Sequence, residues 1–286
     1  MKRFSINLFG LHAHLKLTWE SPEATRFRRG REFPKNNIYF EGDYPNWDTA
    51  LKAAGGYDAP QILNKSVSAM RQVRDGKAKY ERDTVVFDHV HLSYPLLSWL
   101  LYVASCSSGR LSVMDFGGAL GSSYYQNRGF LDQLSALRWG VVEQHNFVTA
   151  GLAEFQTNTL RFFYTPDECE SALQPNFLLF SGVLQYMEYP MNLLDSLLEK
   201  ETPYVLIDRT MAHRLGSDRL AVQHVPAWIY KASYPVWFLD AAKLERCFER
   251  HGYDVIDTFD PHVGATFGME GFSAPYMGWF LKKRSV

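Results

Sequence analysis

One acid and three glycines lie close together near the middle of the chain, in the segment Val113–Ser123. Asp115 ends a short apolar run, and Gly117, Gly118 and Gly121 follow it. Glycine permits tight turns and lets the backbone approach a ligand closely. A helix that begins after such a turn presents free N–H groups and a partial positive charge. The segment therefore predicts a ligand-binding turn between a strand and a helix.

A second acid supports a nucleoside ligand. Glu143 ends the next apolar run, 22 residues after Gly121, where a carboxylate can accept hydrogen bonds from a ribose diol. No Gly-Lys-Ser/Thr follows the turn, which counts against a P-loop. A carboxylate at the turn repels a pyrophosphate but is compatible with an ammonium and a sulfonium. Asp115 therefore favours S-adenosylmethionine over a dinucleotide.

The elements around this turn alternate between strands and helices. Continuous apolar runs predict buried parallel strands, and their alternation with helical segments predicts an α/β sheet with helices on both faces. A helix is predicted from the turn to about Leu137, and another over Ala241–Arg250. The predicted strands are Leu111–Asp115, Trp139–Glu143, Leu160–Tyr164, Asn176–Phe180, Tyr204–Asp208, Tyr253–Asp257 and Tyr276–Leu281.

The first part of the chain lacks this alternation. Helical spacing of apolar residues over 60–75 and 94–105 predicts a mainly helical N-terminal extension or cap over residues 1–107, before a catalytic domain over 108–286. Residues 211–240 are too long for a tight connection, and such connections often form lids or binding loops.

The composition limits the possible partners. The net charge is −1 among 286 residues, which argues against nucleic-acid binding. No apolar run is long enough to predict a membrane span. Three widely spaced cysteines, Cys106, Cys169 and Cys247, argue against disulfides and a cysteine-based metal site and fit the reducing cytoplasm. We predict no metal. We expect a small-molecule or glycan acceptor, and the oligomeric state stays open.

The segment Val113–Gly121 resembles the first motif of class I S-adenosylmethionine-dependent methyltransferases, and Ser181–Pro190 resembles the motif after their fourth strand. Ala119 and Gln185 depart from the usual glycine and histidine. The resemblance implies a Rossmann-like, mostly parallel sheet whose last strand is antiparallel, with S-adenosylmethionine as the cofactor. The implied cofactor-binding residues are Asp115, Gly117, Gly118, Gly121, Glu143, Gln144, Ser181 and Gly182.

The whole chain is also similar to a bacterial methyltransferase family often found among surface-polysaccharide genes. Besides the two motifs, Tyr80–Asp83, Trp139–Gln144, Ile207–Arg209 and Ser233–Trp237 carry this similarity. It implies a role in polysaccharide biosynthesis and O-methylation of a sugar or glycan precursor, and it adds Glu81 and Arg82 to the substrate-binding candidates.

Residues after the fourth and fifth predicted strands open onto the same crevice and are candidates for the acceptor site. The candidate general bases are Asp208, His213, His224 and Glu188, because transfer to an alcohol requires removal of its proton. Aromatic faces can stack on a sugar ring, although the same residues can serve only in packing. The further substrate-binding candidates are Gln185, Tyr186, Arg209, Tyr234 and Trp237.

Three other functions stay open from the sequence. The acceptor can be a different small metabolite. The chain can be a cofactor-binding module without activity, which the departures at Ala119 and Gln185 would favour. A nicotinamide-dependent reductase is the third alternative, and Asp115 argues against it.

Overall fold

The computed structural model describes residues 4–8, 11–15, 38–57, 59–261, 266–269 and 271–284. Contacts divide the chain into two compact units, residues 1–35 and residues 36–286. In the first unit, β1 (Phe4–Leu8) and β2 (Leu11–Leu15) form an antiparallel hairpin. The elements below belong to the second unit.

The strands of the second unit form one large sheet and one small hairpin. In chain order they are β3 (Tyr39–Glu41), β4 (Gly56–Tyr57), β5 (Tyr80–Arg82), β6 (Val85–Phe87), β7 (Arg110–Phe116), β8 (Ala136–Val142), β9 (Leu160–Phe163), β10 (Phe177–Ser181), β11 (Tyr204–His213), β12 (Arg219–Val225), β13 (Ala232–Asp240), β14 (Tyr253–Phe259), β15 (Thr266–Met269) and β16 (Phe272–Lys283).

The helices connect these strands. They are α1 (Trp47–Ala53), α2 (Ala59–Arg74), α3 (Tyr94–Cys106), α4 (Ser122–Leu131), α5 (His145–Glu154), α6 (Pro166–Leu173), α7 (Pro190–Leu198) and α8 (Ala241–Arg250), with a short 3-10 turn over Leu184–Tyr186. Within the described residues, no helix is both long and apolar enough to cross a membrane.

The centre of the large sheet is parallel. Strands β9, β8, β7, β10 and β11 are neighbours in that order, and each pair is parallel. Strand β16 lies between β11 and β14 and is antiparallel to both. This arrangement confirms the predicted Rossmann-like sheet with an antiparallel last strand. The order reverses beside β7, because the chain continues to β8 on one side and returns as β10 on the other, and such a switch point is where open α/β sheets bind ligands.

Alternation along the central strands explains the two-sided burial. Val113 faces the core cluster that includes residues of α2, α3, α4 and α5, whereas Met114 faces the cluster that includes residues of α6, α7 and α8. Leu179 and Leu178 divide in the same way on β10. Because successive side chains of a strand point to opposite faces, a continuous apolar run fills both cores.

Two sequence predictions need correction. Helix α4 ends at Leu131 rather than near Leu137, because Ala136 already pairs with Arg110 in the sheet. Residues 211–240 are not a long loop: β11 continues to His213, and β12 and β13 form an antiparallel pair. Most residues of β12 and β13 are buried, so these two strands extend the sheet rather than lying on the surface as a loop.

The N-terminal region combines helices with short strands. Residues 36–107 belong to the same compact unit as residues 108–286, and they are not only helical. Strands β3 and β4 add to the large sheet through β12 and β13, and β5 and β6 form a separate hairpin. Helices α2 and α3 match the predicted helical segments closely. A domain boundary at residue 107 remains a prediction.

Candidate active site

A cavity of about 420 Å³ opens at the carboxyl ends of β7 and β10, beside the switch point. Its volume lies in the range of small-molecule sites. Its wall combines the glycine turn after β7, the β5–β6 hairpin, the end of β10 and the middle of β11. The lining residues are Ile62, Ser66, Tyr80, Glu81, Arg82, Asp83, Thr84, Asp115, Gly117, Gly118, Ala119, Leu120, Ser122, Ser123, Gln126, Phe147, Ser181, Gly182, Gln185, Tyr186, Arg209, Tyr230 and Tyr276.

The glycine turn is shaped by steric necessity. Gly117 and Gly121 have φ values of 73° and 91°, in the left-handed region that glycine tolerates best. A Cβ on Gly117 would lie 2.5 Å from a methyl carbon of Val183, and one on Gly118 would lie 2.5 Å from the Asp115 carboxylate. The turn therefore has no room for side chains at these positions. Ala119, where the motif usually has glycine, adopts a φ of 50°.

Asp115 ends β7 in the floor of the cavity and is only 1% exposed. The indole Nε1 of Trp139 on β8 donates a hydrogen bond to its Oδ2 at 3.0 Å. Burial raises the pKa of Asp115 to about 7, and the Trp139 hydrogen bond and the charge of Arg209 lower it in part. Since burial disfavours the charged form of an acid, a cationic ligand here would stabilise the ionised carboxylate.

A second buried acid faces the same cavity. Glu81 of β5 is 5% exposed and accepts hydrogen bonds from the Ser122 hydroxyl and, at 3.2 Å, from the Thr84 backbone N–H. Burial raises its pKa to about 7. The turn that follows Glu81 has positive φ at both Asp83 (51°) and Thr84 (72°). Such backbone is unfavourable for a β-branched residue and often marks a functional segment.

The end of β10 and the middle of β11 form a polar corner opposite the glycine turn. The Ser181 hydroxyl donates to Asp208 Oδ2 at 3.0 Å. Arg209 Nη2 donates to the Ser181 hydroxyl at 3.2 Å and its carbonyl at 3.3 Å, and its Nε lies 3.7 Å from Asp208 Oδ2. Burial alone would lower the pKa of Arg209, but Asp208 and Asp83 raise it overall. The guanidinium therefore stays charged beside the cavity.

Phenol groups cluster on the same side. Tyr186 donates from its hydroxyl to Gln223 Oε1 at 3.1 Å, and the Gln223 amide donates to the Tyr234 hydroxyl at 3.4 Å. The hydroxyls of Tyr230 and Tyr234 lie 3.4 Å apart. Burial raises the pKa of each of these tyrosines, and that of Tyr276 to about 12. These phenols are therefore neutral groups that can hydrogen-bond to a polar ligand.

Several predicted cofactor residues lie in the wall of the cavity, namely Asp115, Gly117, Gly118, Ser181 and Gly182. Gly121 lies next to Leu120 and Ser122, which line it, and is the residue before α4.

Glu143 and Gln144 follow β8 but are not among the lining residues. The Gln144 backbone N–H donates to the Glu143 carboxylate. Burial raises the pKa of Glu143, and backbone hydrogen bonds from Gln144 and Ala119 partly offset this. Glu143 therefore contacts the glycine turn from outside the cavity.

Three of the four predicted bases lie away from the cavity. His213 Nδ1 accepts from the Leu215 N–H at 3.2 Å, and its Nε2 lies 3.2 Å from the Phe238 carbonyl oxygen, so both ring nitrogens have structural partners. His224 Nε2 lies 3.0 Å from a carboxylate oxygen of Glu41, and its ring stacks on Tyr39.

Of the remaining predicted residues, some line the cavity and others do not. Glu188 is exposed, and Asp208 is buried behind Ser181 and Arg209, which line the cavity. Trp237 does not line the cavity; its indole donates to the Met187 carbonyl at 3.1 Å. By contrast, Glu81, Arg82, Gln185, Tyr186 and Arg209 all line the cavity. Tyr234 contacts it through Tyr230.

Sequence reasoning missed several polar residues of the cavity, and four of them show why. Ser122 and Ser123 open α4, Gln126 lies one turn further, and Tyr276 belongs to β16. The two serines were predictable, because they directly follow the glycine turn at a helix N-terminus, where free N–H groups are available. Tyr276 had no local signal, since only the antiparallel pairing of β16 with β11 brings it to this corner.

No protein-family model and no curated protein matches the chain. Solved structures do. The 1,6-didemethyltoxoflavin-N1-methyltransferase of Burkholderia thailandensis, with bound S-adenosylhomocysteine, is 15% identical over 81% of this chain and 95% of its own, with a TM-score of 0.42. The N-terminal domain of EvdMO1, in the presence of S-adenosylhomocysteine and D-fucose, is 12% identical over 81% and 98%, with a TM-score of 0.44.

A third match is magnesium protoporphyrin IX methyltransferase of Synechocystis PCC 6803, with bound S-adenosylhomocysteine, at 13% identity over 67% of this chain and 82% of its own, with a TM-score of 0.41. The strand order of the chain and its glycine turn at the switch point define a Rossmann-like α/β protein.

Proposed function

We propose that the chain is an S-adenosylmethionine-dependent methyltransferase. The charge of the cavity wall supports this most strongly: three carboxyls, of Glu81, Asp83 and Asp115, face two guanidinium groups, of Arg82 and Arg209. S-adenosylmethionine carries a sulfonium, an ammonium and a carboxylate, and therefore one net positive charge. Its cationic groups match the carboxyls, and its carboxylate matches the guanidinium of Arg209. The pyrophosphate of a dinucleotide carries only negative charge and would meet the same carboxyls.

The geometry of the turn adds to this proposal. Gly117 and Gly118 line the cavity without a side chain between their backbone and a ligand, and the N-terminus of α4 follows them. Glu143 contacts this turn from the end of β8, and we propose it as the acceptor of hydrogen bonds from the ribose hydroxyls, with Gln144 beside it. Phe147 of α5 lines the cavity and offers an apolar face to the adenine.

In the transfer we propose, an acceptor oxygen uses a lone pair to form a bond with the methyl carbon. The carbon–sulfur bond breaks, its electron pair stays on sulfur, and the sulfonium becomes a neutral thioether. The hydroxyl proton of the acceptor must pass to a base. Glu81 is a candidate because it lines the cavity and burial raises its pKa to about 7, near the pH at which a general base is most effective. Most of the rate comes from holding the two reactants in line.

The acceptor class we propose is a sugar or a glycan precursor in cytoplasmic polysaccharide biosynthesis. The resemblance in sequence supports it, and so do the neutral phenols of Tyr186, Tyr230 and Tyr276 along the cavity wall. Each presents an apolar ring and a hydroxyl that can bond to a sugar hydroxyl.

Calorimetry with S-adenosylhomocysteine and NAD tests the cofactor. We expect the wild type to bind S-adenosylhomocysteine and not NAD, and we expect Asp115→Asn and Glu81→Gln each to weaken binding at least tenfold. Glu188→Gln is the matched control, because Glu188 is exposed and does not line the cavity. A well-folded wild type that binds no S-adenosylhomocysteine, or prefers NAD, would refute the proposal. Binding without methyl transfer to any of a panel of sugars and nucleotide sugars would favour a non-catalytic module.

A further inference from the structure

A second cavity, of about 340 Å³, adjoins the first one on the side of the β5–β6 hairpin. The two cavities share three lining side chains, those of Tyr80, Arg82 and Arg209. The remaining lining residues of the second cavity are Phe87, His91, Leu92, Ser93 and Pro261. Its volume is in the range of small-molecule sites. A molecule bound in the second cavity would therefore lie next to a ligand bound in the first cavity, with the shared side chains between them.

Side chains of the wall between the two cavities contact each other. Arg82 Nε donates to the Tyr80 hydroxyl at 2.7 Å, and the guanidinium lies 5.4 Å from the centre of the Tyr80 ring. The Tyr80 ring in turn stacks on Phe87 at 5.8 Å. The His91 carbonyl oxygen accepts a hydrogen bond from the side chain of Gln126 on α4. Because Gln126 lines the first cavity, this bond connects the segment around His91 to that cavity.

Donors remain available in this wall. Arg82 uses only Nε in its hydrogen bond to Tyr80, and Arg209 uses Nε and Nη2 on Ser181. Among the residues that the structure describes, neither terminal nitrogen of Arg82, nor Nη1 of Arg209, has a hydrogen-bond partner. Since a guanidinium presents its donors in a planar fork that matches an oxyanion, these nitrogens are suited to a carboxylate or a phosphate.

The charge of the second cavity differs in sign from that of the first. Its described lining contains Arg82 and Arg209 and no carboxyl group, whereas three carboxyls line the first cavity. Asp208 lies 3.7 Å from Arg209 and offsets part of that charge, and Asp83 acts on Arg209 from the first cavity. Arg82 has no such ion pair among the described residues. The excess positive charge is therefore on the Arg82 side.

We propose that the second cavity binds the methyl acceptor and that this acceptor carries an oxyanion, held by Arg82 with support from Arg209. This inference rests on the proposed methyltransferase function. It narrows the acceptor from any sugar to a sugar acid or a sugar phosphate. The oxyanion binds on the Arg82 side, and the acceptor hydroxyl faces the methyl group where the cavities meet.

The test uses the full-length protein saturated with S-adenosylhomocysteine, titrated with three probes: glucuronate, glucose 6-phosphate and glucose. We expect at least one of the two anionic sugars to bind ten times or more tightly than glucose, and comparison of the two separates a carboxylate from a phosphate. In Arg82→Gln the affinity for that anionic sugar should fall at least tenfold, while the affinity for S-adenosylhomocysteine stays within twofold.

Two further variants complete the design. Arg138→Gln removes an exposed arginine of β8 outside both cavities and should change neither affinity. Arg82→Lys keeps the charge but loses the planar fork, so its affinity should lie between those of the wild type and Arg82→Gln; it also shows that lost binding does not reflect a misfolded hairpin.

Equal affinity for glucose and both anionic sugars would overturn the proposal. It would also be overturned if Arg82→Gln weakened S-adenosylhomocysteine as much as the anionic sugar, because Arg82 would then hold the cofactor carboxylate. Failure of the wild type to bind S-adenosylhomocysteine, with the anionic sugar still bound through Arg82, would instead refute the proposed methyltransferase function and leave an oxyanion site.

Discussion

Replacement of Asp115 by asparagine should stabilise the ligand-free protein and weaken cofactor binding at the same time. Asp115 is 1% exposed, and burial raises its pKa from 3.8 to about 7. A carboxyl whose pKa is higher in the folded protein than in the unfolded chain costs no stability below the unfolded pKa. The cost grows as the pH rises from about 4 to about 7 and is constant above that. Asparagine removes this cost and keeps an oxygen that can accept from Trp139.

The size of the effect follows from the two pKa values. Their difference, at about 1.4 kcal/mol per pH unit, gives about 4 kcal/mol at pH 8. At pH 5 the folded carboxyl is mostly protonated, and the same arithmetic gives between about 1 and 2 kcal/mol. We therefore expect the advantage of Asp115→Asn in the free energy of unfolding to be larger at pH 8 than at pH 5 by about 2 to 3 kcal/mol.

Urea unfolding at both pH values measures this difference, and calorimetry with S-adenosylhomocysteine measures the functional cost. The matched control is Asp132→Asn, since Asp132 is exposed at the end of α4 and should show no comparable pH dependence. An advantage that is the same at pH 5 and pH 8, or a loss of stability at pH 8, would refute the account of a desolvated carboxylate. Unchanged ligand affinity would refute its role in binding the cofactor.

Four further outcomes test other parts of the structure. Binding of S-adenosylhomocysteine should weaken about tenfold per pH unit below pH 7 for each of Asp115 and Glu81, because the ligand ammonium favours carboxylates whose pKa values burial raises to about 7; a flat calorimetric profile from pH 8 to pH 6 would contradict this. Ala119→Gly should stabilise the protein by about 0.5 kcal/mol in urea unfolding, since Ala119 has a φ of 50° and the left-handed cost exceeds the added entropy of glycine; destabilisation would show that the turn is unstrained. Thr165→Ala should cost about 1 kcal/mol by removing the capping box of α6 without changing ligand affinity, and altered affinity would place this helix in the site. His224→Gln should leave the methyl-transfer rate within twofold, because His224 pairs with Glu41 away from the cavity; a tenfold loss would restore it as a candidate base.

Local signals were sufficient for the central sheet and its turn. The strands β7, β8, β10 and β11 were predictable because a parallel strand buried on both faces is a continuous apolar run. The turn was predictable because few residues other than glycine fit a φ of 73° or 91°, the values at Gly117 and Gly121. The departure at Ala119 was also visible, although its strain was not.

Local signals failed where burial is decided by partners distant in the chain. Residues 211–240 were interpreted as a loop, but they form parts of β11, β12 and β13, and the pairing of β13 with β11 and β12 uses contacts that no local pattern reveals. His213 and His224 were chosen as bases by residue type. Their ring partners, the Phe238 carbonyl and the Glu41 carboxylate, lie on other strands.

By itself, the sequence determined the Rossmann-like sheet, the position of its ligand-binding turn and the acid at the end of β7. Each of these is encoded by neighbouring residues, through periodicity and allowed backbone angles. Only the tertiary structure decided that Glu81 meets Ser122 across 41 residues, that Arg209 lies between two cavities and that Arg82 leaves donors facing the second one. These placements depend on how the hairpin packs on the sheet, and packing is a property of contacts between distant segments rather than of any one segment.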